Sequence, residues 1–80
     1  MLTYAFDFET FYCAGYGIQE LGVDGYLADP RFDAYLLSVY GHGIDWVGHP
    51  KDFDWSQLEH PYRLVAHNAA FDERVMERCM

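Results

Sequence analysis

Eighty residues, half of them apolar and 19% aromatic, limit the chain to one small domain, because chains this short bury only about 60% of the surface they expose when unfolded. Five basic against thirteen acidic side chains give a formal charge of −8, which repels phosphate backbones, so a nucleic-acid partner has to be met through metal ions or through another region. Cys13 and Cys79 are too few for a disulfide framework, no leader pattern opens the chain and no apolar run is long enough for a bilayer, so the expected setting is cytoplasmic and reducing, with no membrane partner.

The first element expected is a strand from Leu2 to Glu9, where residues alternate with period two. In a strand, residues i and i+2 share a face, so Leu2, Tyr4, Phe6 and Phe8 point one way while Asp7 and Glu9 point the other. A Gly-rich excursion with turn signals follows from Ala14 to Gly25. The segment AYLLSVYGHGIDWVG, from Ala34, reads as a hairpin: a near-continuous apolar strand, a turn at Gly41-His42-Gly43 and a return strand IDWV. After Pro50, FDWSQLEH suggests a short helix carrying Phe53 and Leu58.

After Pro61 comes RLVAHN, a short buried-type strand, expected to lie on one side of the first strand with the Tyr35 to Tyr40 strand on the other. It runs into AAFDERVMERCM, where Phe71, Val75 and Cys79, with Met76 and Met80 beside them, fall at helical spacing. Glu73, Arg74, Glu77 and Arg78 form the wet side, and Asn68 is the candidate N-cap. The expected order is strand, hairpin, helix, strand, helix, an α/β arrangement. The helical pattern reaches Met80 without a C-terminal cap signal, and the expectation is that residues 1–80 are the N-terminal portion of one longer domain.

Asp7 and Glu9 lie at the C-terminal end of their strand, where ligand sites gather in α/β sheets. Two carboxylates side by side repel unless a cation joins them, and hard oxygen ligands suit Mg²⁺ or Mn²⁺. A bare DxE is more often the wet side of an edge strand. Asp72 alone is ordinary too, since acids in the first turn of a helix interact with its dipole for about 0.3–1 kcal/mol.

Together, DFET at Asp7 to Thr10 and HNAAFD at His67 to Asp72 resemble the first and second motifs of the DEDD, or DnaQ-like, 3′–5′ exonucleases, whose fold is ribonuclease H-like. The intervening LGVDGYLADPRFDAYLLSVYG is similar to the proofreading domains of family A DNA polymerases. The resemblance implies a β-β-β-α-β-α portion of that mixed sheet. It implies that Asp7, Glu9 and Asp72 are three of four acidic ligands for two Mg²⁺ or Mn²⁺ ions, spaced roughly 3.5–4 Å apart, that hydrolyse the terminal phosphodiester. It further implies that the main chain around Thr10 and Phe11 contacts the 3′-terminal nucleotide of single-stranded DNA or RNA, with Asn68 and Phe71 helping to seat the strand. A polymerase domain in the same longer chain is one partner the likeness suggests.

The family's third motif, a Tyr or His four residues before a final Asp, has no counterpart after the second motif; His49 and Asp52 are too close together and precede it. The motif supplies the general base and the fourth ligand, so the 80 residues alone are expected to be inactive. A reading of a different class is an acidic interaction module, whose carboxylates imitate DNA phosphates and occupy a basic partner.

Overall fold

The computed structural model describes Met1–Cys79 as a four-stranded mixed sheet with two helices, an α/β fold. The elements are β1 (Leu2–Thr10), α1 (Ile18–Ala28), β2 (Ala34–Gly41), β3 (Ile44–Gly48), β4 (Tyr62–Val65) and α2 (Ala69–Cys79), with short 3₁₀ turns at Pro50–Asp52 and Trp55–Gln57 between β3 and β4. The strand order is β3-β2-β1-β4. β1 pairs antiparallel with β2, from Ala5 opposite Tyr40 to Thr10 opposite Ala34, and parallel with β4, from Leu2 opposite Tyr62 to Ala5 opposite Val65. The first strand is therefore central, flanked by the two strands expected.

Alternation along β1 decides where the core sits. Tyr4, Phe6 and Phe8 are buried, and Leu37 and Val39 of β2 stand on the same face opposite Phe8 and Phe6. Val75 of α2 and Tyr26 and Leu27 of α1 close over them. The other face, bearing Ala5, Asp7 and Glu9, is exposed, and it also presents Tyr40, Val47 and Val65. The β2–β3 turn is two residues, His42 and Gly43, both at positive φ (48° and 87°), the conformation that matches the twist of a hairpin.

Four expectations are corrected. The stretch from Ala14 to Gly25 is not a loop excursion, because Ile18–Ala28 is helical with a break at Gly22, whose φ of 72° only glycine adopts without strain. The segment after Pro50 forms 3₁₀ turns, not one short helix; Asp54 caps the second by accepting from the Ser56 N–H at 3.0 Å, while Phe53 and Leu58 are buried as anchors. The fourth strand begins at Tyr62 and ends at Val65, so Ala66 to Asn68 form the connection to α2. On α2, Asp72 and Val75 are the buried residues, whereas Cys79, expected on the core stripe, is exposed. Met80 lies outside the described residues. Cys13 and Cys79 are free thiols, and among the described residues no helix is long and apolar enough to cross a membrane.

Candidate functional site

Asp7 and Glu9 follow one another on the open face near the end of β1, and both are exposed. Directly after Glu9 the register of β1 against β2 slips: Glu9 faces Leu36 but Thr10 faces Ala34. An irregularity of this kind bends a strand and re-aims the next side chain. Thr10 is thereby turned toward α1, where its hydroxyl lies within hydrogen-bonding distance of the Tyr26 hydroxyl, at 2.7 Å.

Asp72 reaches the same place from the other end of the sequence. The Asn68 carbonyl accepts the N–H groups of Phe71 (3.1 Å) and Asp72 (3.0 Å), which starts α2 and puts Asp72 in its first turn. Parallel pairing of β4 with β1 stops at Ala5, so further along β1 no strand covers that edge. At Phe8 the gap is filled by a side chain: the Phe8 N–H donates to Asp72 Oδ1 at 3.1 Å. Asp72 is only 2% exposed, a buried carboxylate whose cost is offset by that hydrogen bond and by the helix N-terminus.

The three acids feel one another. Glu9 has its pKa raised, first by a side-chain hydrogen bond to Asp7, then by the charge of Asp7, by desolvation and by the charge of Asp72. Asp72 is raised mainly by burial; the Phe8 N–H opposes this and the charge of Asp7 adds to it. Mutual repulsion is the condition a divalent cation relieves, and the donors are hard carboxylate oxygens of the kind Mg²⁺ and Mn²⁺ take. Among the described residues, however, no three His, Cys, Asp or Glu side chains are already assembled in a metal-holding arrangement. One oxygen of Asp72 is held by the Phe8 N–H.

Family models, curated proteins and solved structures give no match to this chain. What the residues can do is therefore argued from geometry and chemistry.

Two hollows flank the acids. One, of about 340 Å³, is lined by Thr10, Tyr12, Tyr16, Ile18, Tyr26 and Phe71 among others, so it brings together two of the residues singled out for substrate. The second, of about 520 Å³, lies on the open face beside Asp7, with Ser38, Tyr40, Val65 and His67 on its walls. Phe11 is placed differently. Its N–H donates to the Asp33 carbonyl at 2.8 Å and its carbonyl accepts the Tyr26 hydroxyl at 2.6 Å, while its ring stacks on Tyr16 at 6.0 Å. The Phe11 N–H is thus committed to the fold. Asn68 is exposed at the head of α2, its carbonyl starting the helix.

Sequence reasoning missed the part played by α1. Tyr26 holds Thr10 and Phe11, and Tyr16 stacks on Tyr26 at 4.8 Å while donating to its carbonyl at 2.9 Å. The signal was present as two tyrosines in a glycine-rich stretch, but their spacing does not mark them as neighbours.

Proposed function

We propose that this chain is part of a DEDD-type 3′–5′ exonuclease domain with a ribonuclease H-like fold, acting on the 3′ end of single-stranded DNA or RNA. The observation that carries the reading is the meeting of Asp72 with the Asp7–Glu9 pair through the Phe8 N–H, across 64 positions of sequence. An acidic surface that merely mimicked DNA would not require a buried carboxylate at that point.

In this reading Asp7, Glu9 and Asp72 hold Mg²⁺ or Mn²⁺. Bound there, the ions supply Lewis-acid polarisation of the phosphodiester and activation of the attacking water. The protein's own contributions are distinct. Phe8 fixes Asp72 by its N–H, and the bend after Glu9 aims Thr10 at the hollow lined by Tyr12, Ile18 and Phe71, where a terminal nucleotide is seated. Tyr26 holds that wall in place through Thr10 and the Phe11 carbonyl. The net charge of −8 is reconciled with a nucleic-acid substrate because its most crowded acids are those the cations neutralise. The family's third motif, which would supply the general base and a fourth ligand, has no counterpart among these 80 residues. General-base help is typically worth about 10²–10⁴-fold, so the chain by itself binds metal and cuts poorly. In a longer parent the same site serves proofreading beside a polymerase domain.

Calorimetric titration of the 80-residue chain with Mn²⁺, wild type against Asp7→Asn, tests the assignment. Weak binding that is lost in the variant is expected. Identical curves, or none in either protein, would remove the metal site and leave the acidic interaction module, which would instead bind a basic partner in a salt-dependent way.

A further inference from the structure

Phe8 points away from Asp7 and Glu9, and on its side of β1 it forms part of another hollow, of about 560 Å³, between the start of β2, the Pro50–Asp52 turn and the end of α2. The apolar wall is aromatic, made by Phe8, Phe32, Phe53 and Trp55. Lys51, Arg78 and His49 also line the hollow, with Asp33 beside them. Its size is within the ordinary range for a small-molecule site, about 300–1,000 Å³.

The charges here run against the rest of the molecule. The chain has five Lys and Arg in all against thirteen acids. Arg31 is paired with Asp29 and Arg74 with Asp24, whereas among the described residues Lys51 and Arg78 form no salt bridge. Arg78 is nonetheless positioned: its guanidinium lies over the Phe32 ring, 5.5 Å from the centroid, and its Nε donates to the Leu27 carbonyl at 3.3 Å. His49 Nδ1 accepts the Lys51 N–H at 3.1 Å, so in neutral His49 the proton sits on Nε2, a donor. Trp55 packs edge-on against Phe53 with centroids 4.8 Å apart and stays half-buried, which leaves ring surface for a planar group.

We infer that this hollow binds a nucleotide unit, with its base against Trp55 and the neighbouring aromatic wall and its phosphate toward Lys51 and Arg78. An inorganic anion would leave the aromatic wall unused, and an apolar ligand would leave two cations unanswered; an aromatic ring that carries an anion uses both. Base–aromatic stacking is worth about 1–3 kcal/mol per base and tolerates any base. The Asp33 carboxylate is an acceptor that a base amino group can meet. The site lies across β1 from Asp7 and Glu9, so it is separate from the proposed metal centre and does not depend on it.

The unit could be a free mononucleotide or one residue of a strand, and the test distinguishes them. The 80-residue chain is titrated in EDTA, which silences the carboxylate site, with dAMP, deoxyadenosine, inorganic phosphate and a short oligo(dA), and followed by amide NMR shifts and tryptophan fluorescence. Expected are shifts centred on Lys51 to Trp55 and Arg78, with dAMP binding at least tenfold tighter than deoxyadenosine or phosphate. Affinity should fall at least tenfold in Lys51→Glu and in Arg78→Gln, both at exposed side chains where folding is retained. Tighter binding of oligo(dA) than of dAMP assigns the site to a strand, and the reverse to the free nucleotide. No shift with dAMP or oligo(dA), shifts centred elsewhere, or wild-type affinity in both variants overturns the inference while leaving the carboxylate reading standing.

Discussion

The Phe8 N–H and Asp72 Oδ1, 3.1 Å apart, join the middle of the central strand to the first turn of the last helix. This bond serves the fold and the site together. It satisfies a backbone donor that β4 is too short to reach, and it holds a carboxylate beside Asp7 and Glu9.

Substitution at Asp72 should therefore separate two effects. Asp72→Asn keeps a side-chain oxygen for the Phe8 N–H and removes a buried charge, so urea unfolding should show unchanged or slightly higher stability. Asp72→Ala leaves the N–H without its partner and should cost about 1–3 kcal/mol. Both should lose Mn²⁺ affinity.

The pH dependence has two limbs of opposite sign. Asp72 and Glu9 have folded-state pKa values above their ordinary 3.8 and 4.5, so over the window just above those values the native state holds more protons than the unfolded one. Stability then falls as pH rises through that window. Asp29 is held down to about 2 by its hydrogen bonds with Arg31, so its contribution is present above pH 3.8 and lost as pH falls toward 2. Thermal melts against pH in a chelator should show a maximum near the crossing. Asp72→Asn should flatten the upper limb and Asp29→Asn the lower one.

Tyr26 braces the wall of the hollow lined by Thr10, Tyr12 and Phe71. Tyr26→Phe deletes the hydroxyl that reaches Thr10 and the Phe11 carbonyl, and should cost about 1 kcal/mol in denaturant unfolding, in line with one ordinary hydrogen bond. Amide exchange should quicken at Phe11 to Cys13 more than in β2. Uniform exchange rates would deny it that role.

Much of this was legible in the chain. The period-two pattern from Leu2 to Phe8 located the central strand and the opposite facing of Asp7 and Glu9, and Gly41-His42-Gly43 located the hairpin turn. α1 was hidden because its glycines, Gly22 and Gly25, are poor helix formers; Tyr26 and Leu27, buried against the core, outweigh that propensity. The amphipathic pattern on α2 misplaced its stripe for a related reason. The stripe of Phe71, Val75 and Cys79 leaves Asp72 out, yet the bond from Phe8 lets that carboxylate face inward while Cys79, at the helix end, is exposed. The segment after Pro50 was misjudged because Asp54 competes for backbone N–H groups and favours a tight turn over a continuing helix. The slip after Glu9 leaves no mark in composition or spacing.

The central claim is that acids far apart in sequence form one cation site, and paramagnetic broadening by Mn²⁺ tests it most directly. With substoichiometric Mn²⁺ and amide spectra of the 80-residue chain, the signals of Asp7 to Thr10 and of Asn68 to Asp72 should fade together, before those around Asp24, Asp45 and Asp54. Fading confined to one of the two segments, or spread evenly over every exposed carboxylate, would contradict it.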